Sequence, residues 1–219
     1  MTMKLYIGNQ NYSSWSLRAW LGFAQNGLEV EIEKLKLFTP EFYQTLQGVT
    51  PTGKVPALVD GERVVWDSLA ILEYLNEVKL GGKAWPSDVR ERAKARAIAC
   101  EMHSGFSALR NELPMNCRAR RKVALSEQAR LDVARIDAIW SEQMTQYPQQ
   151  WLFGAWSIAD AMYAPVVLRF ITYQIPLSEQ AALYRDKVLQ SAAMQRWLAE
   201  AAQESDIVSE DEAGEEVAI

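Results

Sequence analysis

The chain of 219 residues contains one histidine and two cysteines. A single imidazole, His103, excludes any metal site built on a pair of histidines and most nucleophile–histidine triads. Cys100 and Cys117 lie far apart without metal-ligand spacing, and no cysteine precedes them, so a C-x-x-C redox motif is excluded from the first half of the chain. Such sparing use of cysteine fits a reducing, cytoplasmic setting. No run of 18 apolar residues occurs, which leaves no candidate for a membrane-spanning helix. The opening MTMKLYIG lacks the long apolar region and the A-x-A site of a secretory leader. A basic surplus is missing as well. The net charge is −5, and residues 204–219, ESDIVSEDEAGEEVAI, hold seven acids and no Lys or Arg. Without them 21 acids face 23 bases, too even a balance for a nucleic-acid surface. The acidic stretch itself, without aromatics, is expected to be a disordered tail.

What is present is ample apolar material, 49% of the residues, enough for one compact unit or two small domains. Lys4–Gly8 reads as a short strand. Ser14–Asn26 has helical spacing at Leu17, Trp20, Leu21 and Ala24, with Asn26-Gly27 as a stop. From Leu28 to Leu37, apolar Leu28, Val30 and Ile32 alternate with Glu29, Glu31 and Glu33, the period of a half-buried strand. Pro40–Leu46 suits a short helix. Val55–Val59 and Arg63–Trp66 flank Asp60-Gly61, a hairpin signal. Ser68–Val78 is helical again. The order β-α-β-α-β-β-α places the first two strands parallel and adds an antiparallel pair. Glycines and a proline in KLGGKAWPSD then mark a linker. Beyond it, helical stripes dominate: Ile98, Met102, Phe106, Leu109 and Leu113; then Val133, Ile136, Trp140, Met144 and Tyr147. Ser157 and Asp160 form a capping-box-like start to a helix through Phe170 that Pro165 bends. Leu183–Leu189 and Met194–Ala202 follow as helices. The expected layout is an α/β domain over 1–80, a linker over 81–85, an all-helical domain over 86–203 and the tail over 204–219.

Three stretches carry candidate chemistry. NYSSWSLR (11–18) puts three serines at a helix start, where a hydroxyl serves as a cap or, beside the exposed N–H groups and the positive end of the helix dipole, favours a bound anion. TPTGKVPAL (50–58) enters a strand through Val55-Pro56. WDSLAILEYL (66–75) puts Asp67 and Ser68 at another helix start.

With GAWSIADAMYAPVV (154–167), the order and spacing of these stretches resemble the soluble glutathione transferase family over nearly the whole chain before the tail. SSWSLR resembles the SSCSxR stretch of zeta-type, serine-dependent members, here of bacterial type. The resemblance implies a thioredoxin-like N-terminal domain that binds glutathione and an all-α C-terminal helical bundle that builds the pocket for a second substrate. It puts the thiol-activating hydroxyl on Ser13, with Ser14 as its rival because the loop NQNY is about two residues longer than the zeta pattern. Ser16 reads as first-turn structure and Arg18 as packing or ion pairing. The resemblance further implies that Val55, before a cis Pro56, pairs with the cysteinyl backbone of glutathione. Lys54 would reach the glycyl carboxylate, Ser68 the γ-glutamyl carboxylate and Asp67 the γ-glutamyl ammonium. Trp15, His103, Phe106 and Arg110 are candidates for the second-substrate pocket, and Asp160 is expected to be structural. The function so implied is a cytoplasmic, homodimeric detoxification enzyme. It would use glutathione as co-substrate, without a metal, to attack a small hydrophobic electrophile. A glutathione-dependent isomerase of the maleylacetoacetate type and a non-catalytic interaction module are the alternatives. Neither nucleic acid nor membrane is expected as a partner.

Overall fold

The computed structural model describes residues 2–217. Lys4–Ile7 forms β1, with Leu5 and Ile7 buried on one face as strand alternation requires. Ser14–Ala24 forms α1, and β2 (Glu31–Lys34) returns parallel to β1 with Leu5 opposite Ile32. The strand expected over Leu28–Leu37 is thus four residues long, because β1 offers four residues to pair with. Helix α2 (Pro40–Gln47) starts on Thr39, whose hydroxyl accepts the Phe42 N–H at 3.2 Å, with Pro40 in the first turn where a missing N–H costs nothing. β3 (Ala57–Asp60) pairs antiparallel with both β1 and β4 (Arg63–Trp66). Gly61, at φ 62°, opens the two-residue connection between β3 and β4. The sheet order is β2-β1-β3-β4. Helix α3 (Ser68–Val78) packs beside α1, and both lie against the sheet. This is the thioredoxin-like α/β arrangement read from the sequence.

The rest is largely helical: α4 (Val89–Ser104), α5 (Ser107–Glu112), α6 (Glu127–Gln146), α7 (Ile158–Thr172), α8 (Glu179–Gln190) and α9 (Ala192–Ala201). Helix α7 is its axis, with every residue but Ile171 buried. The apolar stripe from Ile98 to Leu113 is not one helix. Gly105 ends α4 in an extended conformation and Phe106 turns left-handed, at φ 55°, before α5 begins. All five stripe residues are nevertheless buried.

One hydrophobic core runs through both parts. Helix α1 faces α7, and Trp20 meets Trp197 of α9 with ring centroids 5.2 Å apart. Buried Arg18 donates from Nε to the Met162 carbonyl at 3.1 Å and stacks on Trp15, 4.3 Å from the ring centroid.

The expectation of a disordered acidic tail is corrected by the structure. Residues 204–217 fold back on the body, Val208 is buried, and β6 (Glu215–Glu216) pairs antiparallel with β5 (Arg121–Lys122). The acids find cations: Glu204 pairs with Lys34, Asp206 with Lys36 and Glu212 with Arg121. Ala218 and Ile219 lie outside the described residues.

Candidate active site

Ser13 is the N-cap of α1, and its Oγ accepts the Ser16 N–H at 3.4 Å. It also lies 2.7 Å from Ser16 Oγ, which in turn accepts the Gly8 N–H at 3.0 Å. If the Ser16 hydroxyl donates to Ser13, the Ser13 proton is left to point outward. The run Gly8 N–H, Ser16 O–H, Ser13 O–H is then a polarised chain in which each donor strengthens the next. Ser14, one residue on, accepts from Arg169 Nη2 at 3.2 Å. Both hydroxyls line a cavity of about 650 Å³ between the α/β part and the helical part. The first turn of α1 carries no acid, so its dipole is not offset at this end.

The cavity is electropositive. Arg169, buried in α7, also donates to the carbonyls of Arg110 and Leu113. Burial, together with neighbouring Arg169 and Arg110, holds the Arg18 guanidinium below its ordinary value, and it remains a cation at neutral pH. Arg110 lies over the Trp15 ring at 5.6 Å and lines the cavity. Opposing these is Asp211, brought into the cavity wall by a 3-10 turn (Ser209–Asp211) of the acidic segment; burial pushes its carboxyl up to about 6. Tyr12 also lines the cavity, but its hydroxyl donates to Glu212 at 2.5 Å, and burial with that carboxylate raises its pKa. Burial pushes the nearby Cys117 thiol up to about 12, which makes it a poor nucleophile.

A second recess, about 270 Å³, adjoins the first and shares Trp15, Thr52, Lys54 and Val55 with it. Its other walls are Pro56, Trp66, Asp67 and Ser68. The Val55-Pro56 bond is cis. Lys54 has no ion-pair partner among the described residues. Ser68, 1% exposed at the start of α3, has a buried hydroxyl that meets no hydrogen-bond partner in the described protein. Buried hydroxyls are normally satisfied, so an unpaired one beside a recess is the mark of a ligand contact. Asp67, not Ser68, caps α3: its Oδ1 accepts the N–H groups of Leu69 and Ala70 at 2.9 and 3.3 Å. Its Oδ2 sits 3.2 Å from His103 Nε2.

The structure therefore brings Ser13, Ser14, Trp15, Lys54, Val55, Pro56, Asp67, Ser68 and Arg110 around two joined recesses. His103 touches them indirectly, through Asp67 and through an edge contact with Trp15 at 5.5 Å between ring centroids. Phe106 is a correction: it lines neither recess and turns into the core, where the break between α4 and α5 directs it. Sequence reasoning missed Arg169 and Asp211. Arg169 is the one basic residue of the apolar helix α7, and a cation among apolar residues is itself a signal. Among the described residues no group of three His, Cys, Asp or Glu is placed to hold a metal ion, and no helix is long and apolar enough to cross a membrane.

Residues 12–78 match the family model for the glutathione S-transferase N-terminal domain. The chain is 36% identical over 118 residues to a zeta-class glutathione S-transferase of Euphorbia esula, covering 52% of this chain and 51% of that protein. It is 35% identical over 99 residues to a probable maleylacetoacetate isomerase of Caenorhabditis elegans, covering 45% and 46%. The chain thus spans about half the length of the curated relatives it matches. Among solved structures, a glutathione transferase homolog from Burkholderia gl BGR1 with bound glutathione aligns with TM-score 0.72 and 23% identity, over 93% of this chain and 100% of that one. A maleylacetoacetate isomerase from Anaeromyxobacter dehalogenans 2CP-1, with glutathione in its active site, aligns with TM-score 0.63 and 26% identity, over 90% and 94%. The family likeness thus lies over residues 12–78, and the likeness to solved structures extends over nine-tenths of the chain.

Proposed function

We propose that the chain is a glutathione-dependent enzyme in which the Ser13 hydroxyl stabilises the glutathione thiolate for attack on an electrophile held in the larger recess. The observation that carries this reading is that one continuous cleft presents Ser13 and Ser14 on one side and the unpaired Ser68 hydroxyl and Val55-Pro56 on the other. That spacing suits an extended tripeptide with a thiol at its centre. The Val55 backbone would pair with the cysteinyl unit as an added strand, Ser68 and the first N–H groups of α3 would take the γ-glutamyl carboxylate, and Lys54 the glycyl carboxylate. Asp67 would meet the γ-glutamyl ammonium with the lone pairs that its cap leaves over.

A free thiol has a pKa of about 8.5, and a helix N-terminus lowers it by one or more units, each worth about 1.4 kcal/mol. The α1 N-terminus, the Ser13 proton and the Arg18, Arg110 and Arg169 cations all act in that direction. Holding the thiolate beside the electrophile supplies the rest of the rate. Transfer to an electrophile in a homodimeric, cytoplasmic protein is the leading form of the reading. The isomerase form has its own support in the names of the relatives above. It shares the first step: the thiolate adds to a conjugated double bond, the new single bond rotates, and elimination returns glutathione. Product analysis separates the two, since transfer consumes one glutathione per turnover and isomerisation consumes none.

Retention on glutathione-agarose is expected, and its failure would reject both forms. Ser68→Ala is expected to raise the KM for glutathione about ten-fold or more while leaving kcat nearly unchanged, as loss of a hydrogen bond to a charged group remote from the sulfur does. A fall in kcat at unchanged KM would place Ser68 elsewhere in the mechanism.

A further inference from the structure

The loop that carries Ser13 is held from outside its own domain. Within the turn the Tyr12 and Ser13 N–H groups donate to the Asn9 carbonyl and the Ser14 N–H to the Tyr12 carbonyl. The backbone groups of Gln10 and Asn11 are claimed from outside it. The Gln10 carbonyl accepts Trp197 Nε1–H at 3.0 Å, and the Asn11 carbonyl accepts the Cys117 N–H at 3.1 Å. The N–H groups of Gln10 and Asn11 both point at one carboxylate: Glu204 Oε1 at 2.9 Å from the first and Oε2 at 3.0 Å from the second.

Glu204 is itself fixed. Its side chain is 8% exposed, Lys34 Nζ lies 3.1 Å away, and its carbonyl accepts from Arg118. Arg118 also donates to the Asp206 carbonyl at 2.8 Å, while the Arg118 N–H returns to Asn11 Oδ1 at 2.9 Å. The loop, Glu204 and Arg118 therefore form a closed ring. An exposed carboxylate on a mobile tail would do none of this; here two successive backbone donors are aligned on the two oxygens of one buried acid, two residues before the serine they lead into.

We propose that Glu204 is a positioning residue for the thiol-activating turn: by gripping the Gln10 and Asn11 N–H groups it sets where the Ser13 and Ser14 hydroxyls lie. The proposal rests on the glutathione-thiolate reading above. It assigns a role in the site to the acidic segment, which supplies the acceptor that the Gln10 and Asn11 backbone donors need.

The sign of one measurement separates positioning from charge. Glu204 is an anion near the α1 N-terminus, so removing its charge alone would favour the thiolate and lower the pKa of bound glutathione. Loss of the grip displaces Ser13 and raises it. For both Glu204→Ala and Glu204→Gln, the thiol pKa of bound glutathione, followed by ultraviolet thiolate absorbance, is expected to rise by about one unit. Turnover near neutral pH is expected to fall about ten-fold or more. Binding of S-methylglutathione, which has no thiol to ionise, should change by less than about two-fold. Hydrogen exchange of the Gln10 and Asn11 amides should accelerate in both variants. Glu204→Gln keeps the shape and one acceptor oxygen, so it serves if the alanine variant does not fold. An unchanged or lowered thiol pKa, or unchanged exchange at the two amides, would overturn the proposal. If the parent protein itself shows no bound thiolate, the enzymatic reading fails, and the amide exchange still decides whether Glu204 holds the loop.

Discussion

Ser13→Ala is expected to lower turnover about 10²–10³-fold, the loss seen when one donor to a developing or bound anion is removed. The Ser13 hydroxyl lines the cavity 2.7 Å from Ser16 Oγ, so alanine removes the one hydroxyl of that pair that lines it. The thiol pKa of bound glutathione should rise toward that of the free thiol, while the KM for glutathione should change little, because the proposed site holds the tripeptide mainly at Val55, Ser68 and Lys54. The stability cost should be modest, about 1 kcal/mol for loss of an N-cap. Ser14→Ala breaks instead the contact with Arg169, on the helical side of the cavity. If Ser14→Ala abolishes the thiolate absorbance and Ser13→Ala preserves it, the activating hydroxyl is one residue further along.

Asp160→Ala should be the most damaging single change to stability among the residues described. Asp160 Oδ2 accepts the Ser157 N–H at 2.8 Å and the Ser157 hydroxyl at 3.1 Å; Oδ1 accepts the Leu152 N–H and the Tyr184 hydroxyl, both at 3.1 Å. Burial pushes its carboxyl up to about 6 against the pull of these donors, so it is ionised at neutral pH. Alanine strands four buried donors at about 1–3 kcal/mol each before relaxation. A net loss of about 4 kcal/mol follows, and at roughly 2–4 °C per kcal/mol for a chain of this size the melting temperature falls by about 8–16 °C. Asp160→Asn keeps the volume but turns an amide NH₂ toward groups that are themselves donors, so it should recover only part of the loss. Thermal unfolding of the two variants checks this. A shift under about 3 °C for alanine would mean that the four donors find other partners.

How legible this was in the sequence differed by the kind of force involved. The order of elements through Val78 was readable because period-2 alternation and helical spacing report which face is buried, and further along the capping pair Ser157 and Asp160 marks a helix start locally. The break at Gly105–Phe106 was not readable, because the apolar stripe continues through it at helical spacing. Such a stripe reports burial, and burial persists where the backbone hydrogen bonds change. The acidic segment was misread for a related reason. Composition treats seven acids as solvated, but Lys34, Lys36, Arg118 and Arg121 are far away in the chain and near in space. Lys54, Val55, Pro56, Asp67 and Ser68 lie within short motifs, and the structure places them around one recess. Arg169 and Asp211, which complete the other wall, come from two distant segments with no pattern joining them.

The backbone groups of the serine turn are satisfied by Cys117, Trp197 and Glu204, so the site is assembled against the direction of synthesis. Ser13 leaves the ribosome first, and about 190 residues must follow before Glu204 can reach the amides beside it. At about 5–20 residues per second that is roughly 10–40 s during which the newborn N-terminal domain has its serines but not the acceptor that holds them. Capacity to ionise the thiol should therefore appear only after Glu204 has been made, as a late event in maturation and not as a property of the α/β part alone.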